Sequence, residues 1–408
     1  MPAEPRVHPT GEGWAVRGRV LTGRPGEPVI EDGIVGVAEG HVQWCGPAAA
    51  APDDVTKLAR PVPVILPGLV DVHCHGAVGH TFSADADGAR RAAGHHAAQG
   101  TTSVIASLVS APSEVLLEQI TVLRDLVHEG TLAGLHLEGP FLSGAMCGAQ
   151  DPAAIIDGDP NLLHQWLEAG RGTVRSITLA PETPHFPELV ALCRAHRVVP
   201  SLGHTLATAT QTRQALAEAS IIGEGPWAAT HLFNRMLPVD HRRPGPIPVL
   251  LEAARNDPGG MVLELIADGV HLDPEIVRMV FALVGPASIA LITDAMAAAG
   301  MTDGRYTLGR LQVVVADGTA RLAPTGSGDT AGAIAGSTSR LLENVRRCVE
   351  WGVPLPDAVA AATRTPAQLM GLTHLGVLAP GRRADLVSTT EDLEVLAVHR
   401  AGAAVTTE

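Results

Sequence analysis

Several residues of metal-ligand or acid–base type interrupt otherwise apolar runs. They are His73 and His75 in "GLVDVHCHG", Glu138 in "GLHLEGP", His204 in "SLGHT", His231 in "ATHLFN", His271 in "ADGVH" and Asp294 in "LITDA". Two neutral imidazoles and a carboxylate make a three-ligand divalent site with a position left for water, the usual form of catalytic Zn²⁺. An ion held there lowers the pKa of its water towards about 7 and polarises a substrate carbonyl. A further carboxylate, Asp294, is placed to take the water proton and later deliver it to a leaving amine. The chemistry expected is hydrolysis of an amide or similar bond. Singly, each histidine reads more simply as a core or surface residue, and His95, His96, His128, His164 and His196 on helical stretches are read that way. For Asp294 the plain alternative is a helix cap, but "TDAMAAAG" sets it at the mouth of a loop.

The elements that must position these residues alternate along the chain. Short β-branched runs fall at Val64–Val72, Thr101–Val109, Leu132–Leu137, Val174–Leu179, Val198–Leu202, Ala228–Leu232, Met261–Ala267 and Ser288–Thr293. They are apolar on both faces, as strands of a helix-covered parallel sheet must be. Amphipathic stretches lie between them: Ala84–Ala98, Ser113–His128, Leu162–Ala169, Pro187–Ala195, Ala207–Ala217, Pro248–Arg255 and Pro274–Val284. The last starts with Asp273 as cap and Pro in the first turn. This pattern predicts an α/β fold, a (β/α)8 TIM barrel. An open doubly wound sheet would carry a Gly-rich phosphate loop after its first strand, and none is present. In such a barrel the chemistry sits at the strand ends, where His73, His75, Glu138, His204, His231 and Asp294 fall, with His271 in the loop after strand seven. Alternation along strand one puts His73 and His75 on one face and turns Cys74 away. Two further helical stretches are expected at Asp329–Trp351 and Leu355–Gly371. Residues 13–60 and the tail from Gly376 alternate like antiparallel strands, predicting a small β-sandwich built from both chain ends. The expected division is 1–63 and 376–408 for the sandwich and 64–375 for the barrel.

Composition narrows the partners. The chain has 408 residues, 46% of them hydrophobic, enough for a sizeable core. Its formal net charge of -14 argues against a nucleic-acid partner. An anionic substrate would need a local cluster of arginines, and Lys57 is the only lysine. Five scattered cysteines, Cys45, Cys74, Cys147, Cys193 and Cys348, form no CxxC, which points to a reducing cytoplasm without disulfides. The polar, Pro-rich start "MPAEPRVHPTGEGW" has no apolar leader core, and no apolar stretch reaches membrane-spanning length, so no membrane partner is expected.

"PGLVDVHCHG", "HLEGPFLS", "SLGHT", "THLFNRM", "IADGVH", "LITDAM" and "GVLAPGRRADLV" together resemble the amidohydrolase superfamily. Within it they resemble the N-acetylglucosamine-6-phosphate deacetylase family, over most of the chain. The resemblance implies metal-dependent hydrolysis of N-acetyl-D-glucosamine 6-phosphate to D-glucosamine 6-phosphate and acetate, in amino-sugar catabolism and recycling. It implies that Glu138, His204 and His231 hold the principal metal and that Asp294 is general base and then acid. His271, Asn234, Arg235 and the turn from Ala335 to Thr338 would meet the sugar phosphate. Arg242, in "DHRRPGP", would reach the substrate of a neighbouring subunit, which makes a homodimer the expected partner. The ion expected is Zn²⁺, with Fe²⁺, Co²⁺ or Mn²⁺ as alternatives, one or two per subunit. Superfamily members that bridge two metals with a carbamylated lysine on strand four offer no precedent, because Lys57 precedes the barrel. His73 and His75, which some deacetylases lack, point to a second ion bridged through Glu138. Gln150 stands where many relatives carry a histidine that holds the acetyl carbonyl; its amide can donate but cannot be cationic. Cys147 in the same loop is read as an incidental small residue. The alternatives are another amidohydrolase, such as one acting on N-acetylgalactosamine 6-phosphate or an unphosphorylated N-acyl compound, and a silent scaffold, which would have lost a ligand or Asp294.

Overall fold

The computed structural model describes residues 13–324 and 332–406. The start of the chain, on which the expected lack of a leader rests, lies outside the described residues. Eight parallel strands follow in sequence and in space: Val70–Cys74, Ser103–Val109, Gly134–Glu138, Val174–Leu179, Val199–Leu202, Trp227–Ala229, Met261–Ile266 and Ile289–Ile292. Strand eight meets strand one through Asp294 N donating to His73 O at 2.9 Å and His75 N donating to Ala295 O at 2.7 Å. The result is the expected (β/α)8 barrel. Its lower interior is packed by Val70, Val72, Ile105, Val262 and Ile292 against Ala367, Met370 and Leu372 from the last helical turns. Helices such as Ser113–His128 and Pro274–Val284 bury one apolar face each against the outside of the strands. The cap at Asp273 is present, its carboxylate accepting from Glu275 N at 2.9 Å.

The expected first strand from Val64 is two strands. Ala59–Pro67 lies in a seven-stranded sheet built from both chain ends, pairing with Trp14–Val20 on one side and Leu386–Thr389 on the other. The barrel strand begins only at Val70. The apolar run hides the break because both strands are buried. Gly68 marks it: a Cβ there would lie 2.2 Å from Thr102 Oγ1. Strand one also carries a bulge, with Asp71 opposite Val104 but Cys74 opposite Ala106.

Two further corrections fall after strand eight. An antiparallel three-stranded sheet, Gly304–Leu308, Leu311–Ala316 and Thr319–Leu322, was not among the expected elements. It packs Leu308, Val313 and Ala320 onto Met296 and Ala335 beside the barrel mouth. The helix expected from Asp329 is helical only over Leu341–Glu350, and 325–331 lie outside the described residues. Its Ala335–Ser337 segment is instead a bend, with Gly336 at φ 68°, Ala335 N donating to Ala320 O at 3.0 Å and Ser337 N to Asp294 O at 2.7 Å. Leu355–Gly371 is broken into Leu355–Ala361 and Arg364–Leu369. No helix among the described residues is long and apolar enough to cross a membrane.

Candidate active site

At the carboxyl ends of the strands, His73, His75 and Asp294 form one group of converging donor atoms and Glu138, His204 and His231 another. All six are buried. His73 and His75 bring their Nε2 atoms to 3.2 Å, and Asp294 Oδ1 lies 3.2 Å from His75 Nε2. In the second group Glu138 Oε1 is 3.0 Å from His204 Nε2 and 3.1 Å from His231 Nε2. Glu138 joins the two groups, its Oε2 lying 3.2 Å from His75 Nε2.

The chain turns sharply where these side chains emerge. His204, His231 and Asp294 all take left-handed φ values, 47°, 29° and 49°. Residues other than Gly, Asn and Asp seldom adopt this conformation, and it costs free energy wherever it occurs. Here it lets the strand end and the side chain point into the mouth. Cys74, by contrast, faces outward to His96, Sγ to Nε2 3.1 Å, as strand alternation requires.

The imidazoles are oriented from behind. His75 Nδ1 meets Ser107 O at 3.1 Å and His204 Nδ1 meets Met146 O at 2.8 Å. A carbonyl only accepts, so each Nδ1 carries the proton and each Nε2 presents a lone pair to the centre. His73 Nδ1 does the same against Glu264 Oε2 at 3.0 Å. This is the arrangement by which metal-binding histidines are aimed. Three imidazoles aimed from behind, the Nε2 of His231 and two carboxylates, packed this closely, fit a divalent ion or a pair of them.

Burial would lower His73 and His75, but Asp294 and Glu138 raise both, His75 to about 9, so a bound cation would take the place of the protons these imidazoles hold without one. Burial alone would push the Glu138 carboxyl up, but His204, His231, His73 and His75 around it hold it well below the usual carboxylate range. Asp294 is likewise opposed by burial yet brought down to about 2 by His73 and His75. Both therefore stand as anions facing the imidazoles.

A cavity of about 310 Å³ opens over this centre. It is lined by Glu138, His204, His231 and Asp294, and also by Gln150, Asn234, Arg235 and His271. Asn234 Nδ2 donates to His231 O at 3.1 Å, steadying that turn. His271 is buried, which lowers its pKa, but the Asp268 carboxylate 2.7 Å from its Nδ1 outweighs that and raises it. Gln150 accepts from Ser110 N at 2.7 Å and donates to the Glu138 carboxylate, so one amide hydrogen already serves Glu138. Three expected residues are not in the cavity wall, and His73, fully buried beneath it, is one. Ala335 is fully buried under the small sheet, and its neighbours Ile334 and Gly336 line the cavity instead. Arg242 is exposed, and among the described residues only its backbone N is engaged, to Asp240 Oδ1 at 2.9 Å. Cys147 is half-buried in the 143–151 loop beside the cavity-lining Met146.

Three buried polar residues behind the centre were not singled out in the sequence. Glu264 accepts from His231 N at 3.2 Å as well as from His73. His136 lies between Ser107 Oγ at 2.9 Å and Thr178 Oγ1 at 2.8 Å, with burial holding its pKa well down. Asp71 accepts from Thr293 Oγ1 at 2.5 Å, and burial raises it to about 6. Each is a polar residue inside an apolar strand run, the same signal that marks Glu138.

The barrel and its mouth place the chain in a known class. The amidohydrolase family model matches residues 64–405, and the chain belongs to that family. Among its relatives, N-acetylglucosamine-6-phosphate deacetylase of Bacillus subtilis (strain 168) is 31% identical over 379 residues, 90% of this chain and 91% of the relative. N-acetylgalactosamine-6-phosphate deacetylase of Escherichia coli O157:H7 is 32% identical over 373 residues, 90% of this chain and 93% of the relative. In structure the chain is similar to a variant of N-acetyl-D-glucosamine-6-phosphate deacetylase from Mycobacterium smegmatis, in complex with N-acetyl-D-glucosamine-6-phosphate. The TM-score is 0.87 and the identity 40%, with 97% of this chain and 100% of the other covered.

Proposed function

We propose that the chain hydrolyses N-acetyl-D-glucosamine 6-phosphate to D-glucosamine 6-phosphate and acetate. The observation that carries this reading is the Glu138-bridged pair of ligand groups with Asp294 beside it, at the mouth of a barrel whose 40%-identical structural neighbour is a deacetylase holding that sugar. His204, His231 and Glu138 would hold one divalent ion, and His73, His75 and Asp294 a second. Such an ion supplies Lewis acidity towards the amide carbonyl and acidifies the attacking water. Zn²⁺ suits this donor set, as do Fe²⁺, Co²⁺ and Mn²⁺. Asp294 takes the proton of the water as its oxygen adds to the acyl carbon. It then gives that proton to the sugar nitrogen as the C–N bond breaks, releasing acetate and the free amine. His271 and Arg235 supply positive charge for the phosphate in a chain of net charge -14. Arg242, exposed and free of any side-chain ion pair among the described residues, would reach the phosphate in a second copy's site, making the working unit a homodimer.

The test is acetate release from N-acetyl-D-glucosamine 6-phosphate, with metal content measured on the same sample. Turnover that follows divalent metal loading is expected. No turnover at any metal content overturns the reading, and faster turnover of N-acetylgalactosamine 6-phosphate would reassign the sugar. Arg242→Ala should raise KM for the phosphorylated sugar and leave unphosphorylated N-acetylglucosamine unaffected; equal effects on both would remove Arg242 from phosphate binding.

A further inference from the structure

A third gathering of ligand-type side chains lies on the helical outer layer of the barrel. His164, Glu168 and His196 bring one donor atom each to within 4.8 Å of one another. None of the three lines the cavity over the ligand centre, and none falls at a strand end, so the signal that marks the centre in the sequence passes over them. The helix Pro160–Gly170 buries Leu163, Trp166 and Leu167, which turns His164 and Glu168, about one helical turn apart, out to solvent on one face. His196 is the last residue of the next helix, Phe186–His196, which packs beside the first. The two imidazoles meet edge to face with ring centroids 5.8 Å apart, and His196 Nδ1 lies 4.0 Å from Glu168 Oε1. Glu168 and His196 stand in the last turns of their helices, which in this barrel end at the face opposite the mouth.

These side chains are committed to little else. Among the described residues neither imidazole makes a hydrogen bond, and the approach of His196 is the only ion-pair contact of Glu168. We propose that His164, Glu168 and His196 form a peripheral Zn²⁺ site that clips the two helices together. Two imidazoles and one carboxylate, with a position left for water, are an established Zn²⁺ donor set. Bonds of about 2.0–2.2 Å in a tetrahedron hold donors roughly 3.4 Å apart, so atoms spread over as much as 4.8 Å must close by about 1 Å. His164 and Glu168 are exposed and can make that shift by changing rotamer while both helices stay in place. Ordering them makes the site weaker than the buried centre, whose imidazoles are already aimed from behind. Only the folded chain gathers the three, because they come from two helices, so an ion bound there stabilises the fold. It adds to the metal content of a loaded sample without adding turnover.

The test dialyses the wild type, His164→Ala and His196→Ala against excess Zn²⁺ and counts the bound ions by elemental analysis. The wild type should hold one more Zn²⁺ per chain than either variant, with kcat the same in all three. Thermal melts give a second reading: once the centre is loaded, further Zn²⁺ should raise the melting temperature of the wild type and leave both variants where they were. Equal counts in all three proteins overturn the site. So does a count that falls in His164→Ala but not in His196→Ala, because the ion then does not join the helices. A kcat that falls along with the count overturns it as well, since the missing ion would belong to the centre at the mouth. Absence of turnover in every form, with the difference of one ion retained, would instead overturn the deacetylase reading and leave this site standing.

Discussion

Glu264 does not line the cavity over the centre, yet a single oxygen of it ties the two ligand groups together. Its Oε2 accepts from His73 Nδ1 at 3.0 Å and from His231 N at 3.2 Å, fully buried. Hydrogen bonds to a charged acceptor contribute about 1.5–3 kcal/mol each, against about 0.5–1.5 for a neutral one. Glu264→Gln can keep its amide oxygen in place and lose only the charge, so about 1 to 1.5 kcal/mol is lost at His73. That is roughly tenfold in the affinity of the His73, His75 and Asp294 group for its ion. Glu264→Ala strands two buried donors at about 1–3 kcal/mol each, and leaves His73 free to turn its proton inward. A loss of about a hundredfold is expected there, together with a lower melting temperature. Titration of apo-protein with Zn²⁺ against a competing chelator, with occupancy by elemental analysis, reads both effects. If Glu264→Ala binds two ions with wild-type affinity, the carboxylate does not aim His73 and the reasoning fails.

Other outcomes follow from the same geometry. Asp294→Asn should lower kcat by about 10²–10⁴, the range for a lost proton-transfer group, while KM changes little; a variant with near wild-type kcat would assign the proton transfers elsewhere. Replacing His73 with Gln and His75 with Asn together should reduce metal stoichiometry from two towards one with partial activity left, whereas complete loss of activity with two ions still bound would contradict a separate second site. Asp268→Asn removes the partner that raises His271. The imidazolium then deprotonates at lower pH, so KM for the phosphorylated sugar should begin its alkaline rise at a lower pH than in the wild type. A KM–pH profile that does not move would mean His271 binds the sugar as a neutral imidazole.

The ligand residues were legible because each breaks a strand that is apolar on both faces, and a buried carboxylate or imidazole at a strand end needs a partner to justify its desolvation. The same logic should have exposed Glu264, which sits between Leu263 and Leu265 in a fully buried strand. It escapes that signal because it lies two residues before the strand's end rather than at the loop, and strand alternation alone does not say which face looks inward. Only pairing decides that: Glu264 is level with Ala290 on strand eight, and its Oε2 meets His73 Nδ1 from strand one, next to the bulge between Asp71 and Cys74. Bulges, like the left-handed turns at His204, His231 and Asp294, are set by contacts distant in sequence and leave no local composition to read. The small three-stranded sheet failed for a different reason. "YTLGRLQVVVADGTARL" carries the turn residues and β-branched runs of two hairpins, but its strands are half-exposed and stand outside the barrel repeat that organised the reading. That repeat assigns no job to an insertion after strand eight. Yet Leu308, from this insertion, forms part of the wall of the cavity over the ligand centre, so the element least visible in the sequence helps to bound the chemistry.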